Sequence, residues 1–253
     1  MHTNRIFSCF IILFALFFTV NAHAWEWSWG GKSITGSGVV KTETRVVSDF
    51  TGIALALPGK VTIRQGNKEG LTIEADDNFL PLIEIVVERG SLKIRPIERN
   101  TNFKGKGATL NIIVDVINVD HLSISGSGDM VADTLKSGKL KVAVAGSGDM
   151  RLNVLTVDQL KVSIAGSGDF ASAGNANEVD ISIAGSGEIK ADRLKTKAAK
   201  LSIAGSGDVA LWVTDTLKVS IAGSGDVRYF GDAVLAKSVA GSGNIQRLGS
   251  APN

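Results

Sequence analysis

The chain has 253 residues and a formal net charge of +2, from 27 Lys and Arg against 25 Asp and Glu. A balance this close to neutral argues against a polyanion-binding protein and against an acidic, solvating tail. Glycine is abundant at 29 residues, proline is scarce at 4, and 44% of the residues are hydrophobic. Aliphatic content of this kind excludes a disordered chain, and the length is ample for one all-β domain.

Residues 1–24 have the features of a secretory signal peptide. Arg5 supplies a positive start, residues 6–20 form an apolar run, and AHA at 22–24 is a small-x-small cleavage signal. The run is short for a membrane span. We therefore predict export to the periplasm, the medium or the cell surface, with no transmembrane segment after cleavage. The single cysteine, Cys9, lies inside this segment, so the exported fold has no disulfides.

A Gly-Ser-Gly turn recurs seven times in the second half of the chain. Successive turns are 18 to 20 residues apart, and a fixed period of this size indicates a repeat architecture. Each turn is followed by an acid or, in the last copy, its amide: Asp129, Asp149, Asp169, Glu188, Asp208, Asp226 and Asn244. Large apolar residues alternate with small ones before each turn, as in KVSIAGSGD at 218–226. This alternation predicts short strands joined at the turn.

These features predict an all-β fold, a parallel β-helix or solenoid with 18–20-residue coils and Gly-Ser-Gly-Asp corners. One unit cannot bury its Val and Ile face alone, but stacked units build a continuous aliphatic core. We expect right-handed coils, from the usual handedness of parallel β crossovers. A β-sandwich also has short strands at regular spacing. It ranks second, because hairpins would not place the same acidic turn at the same phase in every unit.

The predicted organisation is a Trp-rich segment at 25–43, one β-solenoid domain at 44–248 and a tail at 249–253. Regular repeats fill 116–248. Residues 44–115 also alternate like strands but lack the acidic corner, so we interpret them as irregular opening coils or a covering β-layer.

Several stretches resemble a known family: RVVSDFTGIAL at 45–55, VTIRQG at 61–66, LTIEADDNFLPLIEIVVERGSLKI at 71–94 and GDVRYFGDAVLAKSVAGSGNI at 225–245, with the repeated GSGD between them. Together they resemble the auto-transporter adhesin head (GIN) domain family over about residues 45–247. The resemblance implies a parallel β-helix-like fold outside the cytoplasm and an adhesive role. It implies no catalytic residues.

The acidic corners have two interpretations. In the structural one, glycine permits the sharp turn and the acid accepts hydrogen bonds from nearby amides. Carboxylates stacked at ~4.8 Å repel by roughly 3 kcal/mol per pair before salt screening, so a partner must offset the repulsion. Ca²⁺ is the alternative partner, because acidic Gly-rich repeats bind it in β-rolls, although their nonapeptide is not reproduced here. The candidate ligands are Asp129, Asp149, Asp169, Glu188, Asp208 and Asp226.

Lysines recur five residues before the turn and are predicted to point away from the core as a basic ladder. They are Lys141, Lys161, Lys200 and Lys218. Asp180, His121 and Ala236 interrupt the column, and His121 is the one histidine beyond residue 24. A single histidine gives at most one base for Ser-His-Asp chemistry. A ladder of identical units is also unlike an active site, so we predict no catalytic residues and no enzyme activity.

Aromatic residues are few. Trp25, Trp27 and Trp29 alternate in WEWSWGG. As a strand they would form a one-sided stripe, either capping the open end of the solenoid or binding sugar rings or a partner protein. Trp212 and Tyr229 are predicted to pack outward.

The predicted function is that of a non-catalytic, secreted or periplasmic adhesin-like binding protein. Its expected partner is an envelope polysaccharide or surface protein. Self-association through faces or ends is compatible with the fold, and no nucleic acid is expected. One alternative is a polysaccharide-active enzyme on a β-helix, such as a calcium-assisted lyase or a hydrolase. The other is a purely structural envelope protein.

Overall fold

The computed structural model describes residues 32–104 and 110–252, which form strands and one short 3-10 helix at Leu80–Leu82. The first part holds β1 (Ser33–Thr35), β2 (Val40–Arg45), β3 (Gly52–Leu55), β4 (Lys60–Gln65), β5 (Gly70–Asp76), β6 (Ile83–Glu88), β7 (Ser91–Pro96), β8 (Asn102–Lys104) and β9 (Leu110–Val116). The second part holds β10 (His121–Gly126), β11 (Asp129–Gly146), β12 (Met150–Gly166), β13 (Phe170–Gly185), β14 (Glu188–Gly205), β15 (Asp208–Gly223), β16 (Val227–Phe230), β17 (Val234–Gly241) and β18 (Ile245–Gly249).

The strands build a parallel β-solenoid of about six turns with coils of about 20 residues, which confirms the predicted fold. Residues at the same phase of the repeat pair across coils: Val142 lies opposite Val162, and Val162 opposite Ile181. All three are at most 1% exposed. The aliphatic side chains before each turn therefore form one continuous core along the solenoid axis, as their alternation predicted.

β12 shows how a long strand bends around three sides of the coil. In β12, alternate residues are buried until two consecutive exposed residues interrupt the pattern, first at Asn153 and Val154 and then at Asp158 and Gln159. At these points the chain turns a corner and alternation resumes with the opposite parity. The third corner is the Gly-Ser-Gly turn that follows the strand. The two interruptions of the burial pattern and the Gly-Ser-Gly turn are thus three corners, and they separate three flat sides.

The first coils do not follow chain order. β3 lies between β7 and β10, and β4 lies between β9 and β11. The coil made by β3 and β4 is therefore sandwiched between the regular repeats and a coil that the chain makes later, from β7 and β9.

Antiparallel strands cover the outermost of these coils. β6 pairs with β7, β5 pairs with β9, and β2 pairs with β5, all antiparallel. Phe79 and Phe103 are both buried and pack edge to face, with ring centroids 4.8 Å apart. Residues 44–115 are thus both irregular coils and a covering layer. β1 and β2 begin before residue 44, so the β-structure includes the described part of the Trp-rich segment.

The last coil forms the other end of the solenoid and carries charged residues. Lys237 lies opposite Val219 and Arg247 opposite Tyr229, at two inward-facing positions of the last coil. Both charged residues are exposed. Arg247 donates from Nε to the carbonyl oxygen of Gly231 at 2.7 Å and pairs with Asp232. Charges at these positions oppose the addition of a further apolar coil.

A helix suited to crossing a membrane is absent from residues 32–104 and 110–252.

Candidate functional site

The acidic corners form a hydrogen-bonded column along one edge of the solenoid. The Oδ1 atom of Asp129 accepts a hydrogen bond from the N–H of Asp149 at 3.1 Å, and Asp149 accepts one from Asp169 at 3.1 Å. The same bond, at 2.9 Å, joins Asp169 to the N–H of Glu188, Asp208 to that of Asp226, and Asp226 to that of Asn244. Each aspartate therefore binds a backbone amide of the next coil.

Glu188 departs from this pattern because its side chain is one methylene longer. Its carboxylate pairs with Lys190 at 2.8 Å, and the N–H of Asp208 donates instead to the carbonyl oxygen of Gly187 at 3.3 Å. The hydrogen bond and charge of Glu188 raise the pKa of Lys190. Aspartate, not glutamate, has the length that the corner bond requires.

Cations lie beside the column and offset the repulsion between its carboxylates. Lys60 occupies the column position before Asp129. A recess of about 210 Å³ brings Lys60, Arg151 and Lys190 together with three corner acids. The lysines five residues before each turn do not line this recess, because they lie on another edge of the solenoid.

The glycines of the corner are required by the stacking of the coils. Gly146 has φ +123°, and a Cβ there would lie 2.4 Å from the carbonyl oxygen of Gly126 in the neighbouring coil. A Cβ on Gly148 would lie 2.1 Å from the carbonyl oxygen of Gly128. Backbone therefore packs directly on backbone at each corner.

No metal cluster is found in the described ranges, where three or more His, Cys, Asp or Glu side chains nowhere converge on one point. The candidate calcium ligands are arranged one per coil, and most have one oxygen engaged by an amide. Calcium binding at Asp129, Asp149, Asp169, Glu188, Asp208 and Asp226 stays the untested alternative to the structural interpretation.

A longer concave feature lies on a different edge of the solenoid. A groove of about 500 Å³ crosses five coils. We call it the lysine groove. Its floor is formed at Leu140, Leu160, Val179 and Ala199, and the predicted column of Lys141, Lys161, Asp180, Lys200 and Lys218 forms one wall. Lys139, Gln159, Glu178, Ala198 and Thr216 form the other wall.

Two acids in the groove are already engaged. Asp180 pairs with Lys161 at 3.7 Å, and Glu178 accepts a hydrogen bond from Gln159 at 3.1 Å. The lysine column was visible in the sequence. The groove was not, because it depends on the second row of residues and on the corner that brings the two rows together.

The remaining predicted residues are dispersed. His121 is half-buried at the start of the lysine column, opposite Lys141 on one side and Gly52 on the other. Trp212 faces outward, with Lys195 Nζ 5.3 Å from its ring centroid. Tyr229 was predicted to face outward but is 6% exposed. It lies opposite Leu211, so it completes an inward-facing column. Trp25, Trp27 and Trp29 lie outside the described residues.

Stacked three-sided coils, amide-bonded acidic corners and a lysine-lined groove define a parallel β-solenoid of the repeat type. The family model described as "Putative auto-transporter adhesin, head GIN domain" matches residues 49–233. The chain belongs to this family, as its resemblance indicated. The chain has no match among curated proteins.

Solved structures with similar folds include three bacterial proteins. One is a putative lipid binding protein from Parabacteroides distasonis ATCC 8503, 27% identical with a TM-score of 0.73, the match covering 86% of this chain and 100% of that one. The second is a putative adhesin from Bacteroides fragilis NCTC 9343, 24% identical with a TM-score of 0.78, covering 85% and 100%. The third is a putative adhesin from Parabacteroides merdae ATCC 43184, 24% identical with a TM-score of 0.67, covering 86% and 100%.

Proposed function

We propose that the chain is an exported, adhesin-like binding protein of the bacterial envelope and that it has no catalytic activity. One observation carries the proposal: coils stacked in register present equivalent side chains at the same place in successive turns. Lys141 and Lys161, or Lys200 and Lys218, are neighbours of this kind. A surface repeated at about 4.8 Å suits a ligand that is itself repetitive, because many weak contacts then act together.

The comparisons support binding rather than chemistry. The family is described as an adhesin head, and the similar solved structures are putative adhesins and a putative lipid binding protein. The geometry supports the same proposal. The acids of the lysine groove are paired with Lys161 and Gln159, so neither is poised as a free general acid or base. Export is supported by the apolar run at 6–20.

The binding test uses the exported chain immobilised on beads and incubated with isolated bacterial envelopes and with their purified polysaccharides. Saturable, reversible retention without release of new reducing ends or unsaturated uronate would agree with the proposal. Time-dependent shortening of a polysaccharide would contradict it and would favour the enzyme alternative. Absence of retention by every envelope component would favour the structural alternative.

The export test uses the full chain fused at its C-terminus to alkaline phosphatase, which is active only outside the cytoplasm. We expect activity, and we expect a Leu13→Arg and Leu16→Arg double change in the apolar run to abolish it. Equal activity from both fusions would overturn the export part of the proposal.

A further inference from the structure

We infer that the lysine groove binds a linear anionic polysaccharide, with its acidic groups against the lysine column and its chain parallel to the solenoid axis. This inference rests on the proposed function and names the ligand class and the surface.

Charge is concentrated in this groove far beyond the average of the chain. Five of its lining residues are lysines and two are acids, whereas the whole chain carries a net +2. Lys141, Lys200 and Lys218 are exposed, and within the described part of the chain they form no ion pair. Their charge is therefore available to a ligand. The near-neutral composition argued against a polyanion-binding protein, but a total charge does not show where the charges lie.

The spacing of the lysines suits a polymer. Coils are separated by about 4.8 Å, so neighbouring lysines of the column are about 5 to 10 Å apart and the groove is about 20 Å long. One sugar residue of an extended chain is comparable in length to one coil separation. A polyuronate that lies along the groove would therefore carry about one carboxylate for each coil that it crosses.

The lining disfavours two other anionic ligands. Leu140, Leu160, Val179 and Ala199 are between 1% and 5% exposed, so an acyl chain would gain little apolar burial from the floor. The lining residues include no aromatic side chain, and single-stranded nucleic acids depend on such side chains for base stacking. A hydrated, acidic sugar chain needs neither feature.

The test measures binding of polygalacturonate hexamers to the exported chain by calorimetry, in chelator and at several salt concentrations. We expect binding that weakens with added salt and no binding of the uncharged cellohexaose. The variant with Lys141→Gln, Lys200→Gln and Lys218→Gln is expected to bind at least tenfold more weakly. The matched control, with Lys68→Gln, Lys136→Gln and Lys197→Gln, loses the same charge from exposed positions outside the groove and should bind like the native chain.

A variant that is expected to bind more tightly makes the test independent of misfolding, because a misfolded chain would not gain affinity. Asp180→Asn releases Lys161 from its ion pair and removes the acid that interrupts the column. We expect it to tighten binding severalfold. Equal weakening in the two lysine variants, or no gain from Asp180→Asn, would overturn the assignment of the groove. Stronger binding of phosphatidylglycerol vesicles or of single-stranded DNA than of the hexamer would overturn the ligand class.

The inference and the proposed function can fail separately. If the native chain is retained by envelopes but does not bind polygalacturonate, the inference is wrong and the proposed function stands. If it binds neither envelopes nor their polysaccharides, both are wrong.

Discussion

Among single residues, Asp149 shows what the acidic corner does for stability. Its Oδ1 atom accepts a hydrogen bond from the N–H of Asp169, and its own N–H donates one to Oδ1 of Asp129. Asparagine keeps the accepting oxygen and loses the charge, as Asn244 does at the last corner, whereas alanine loses both. We expect Asp149→Asn to exceed Asp149→Ala by about 1 kcal/mol in the free energy of unfolding in urea, the usual value of one hydrogen bond. Equal values would mean that the bond contributes nothing.

The same bonds bear on calcium. The corner carboxylates already accept hydrogen bonds from amides and lie beside cations. We therefore expect the same thermal unfolding midpoint in millimolar Ca²⁺ and in chelator. A metal that binds only the folded chain would add about 2.7 kcal/mol at a hundredfold excess over its Kd. A raised midpoint that disappears in Asp149→Asn would instead show that the column is a metal array.

Two corner glycines separate the cost of an unusual φ from the cost of stacking. Gly126 and Gly146 have similar positive φ values, +114° and +123°. A Cβ on Gly126 would meet nothing within 4 Å, whereas one on Gly146 would lie 2.4 Å from a carbonyl oxygen. We expect Gly126→Ala to cost about 1 to 2 kcal/mol from backbone strain. Gly146→Ala should cost about 2 kcal/mol more from the close contact. Similar unfolding free energies would show that the coils can move apart there.

At the scale of strands, the sequence predicted the regular coils but not the strand order of the first, irregular coils. The coils of β11 to β15 followed from the fixed phase of the Gly-Ser-Gly turn and from the alternation before it, although short strands were predicted where each coil is one bent strand of 16 to 18 residues. The insertion of β3 between β7 and β10 could not be predicted, because pairing between strands far apart in the chain leaves no local motif. The inward orientation of Tyr229 was missed although it lies two residues after Val227, on the same face of the strand. The lysine groove was missed because it joins two rows across a corner.

The last coil gives a prediction about association. Lys237 and Arg247 occupy inward-facing positions at the open end, where apolar residues would extend the core and invite another chain. We expect the Lys237→Val and Arg247→Leu double variant to self-associate with rising concentration in analytical ultracentrifugation. The control is Ser238→Val with Gln246→Leu, which adds similar apolar surface on outward-facing neighbours. Self-association of both variants, or of neither, would contradict a protective role for the inward charges.

For the whole molecule, stacking of near-identical units implies that stability is close to a sum over coils. Residues 150–169 are one complete coil, because Met150 and Phe170 lie opposite each other in register. Their deletion joins Asp149 to Phe170 and keeps every later residue in phase. We expect a folded, shorter solenoid. At 0.05–0.15 kcal/mol per residue, the loss in unfolding free energy is about 1 to 3 kcal/mol, and the urea m-value should fall with the buried area.

Deletion of residues 150–159 is the stricter comparison, because it removes fewer residues but breaks the phase. The turn that begins at Gly166 would then no longer lie on the turn at Gly146, and a residue with a Cβ would occupy a position where backbone packs on backbone. We expect this variant to lose cooperative unfolding while the 20-residue deletion keeps it. If the shorter deletion were the more stable one, the register of the corners would not be what holds the coils together, and hydrophobic content alone would account for the fold.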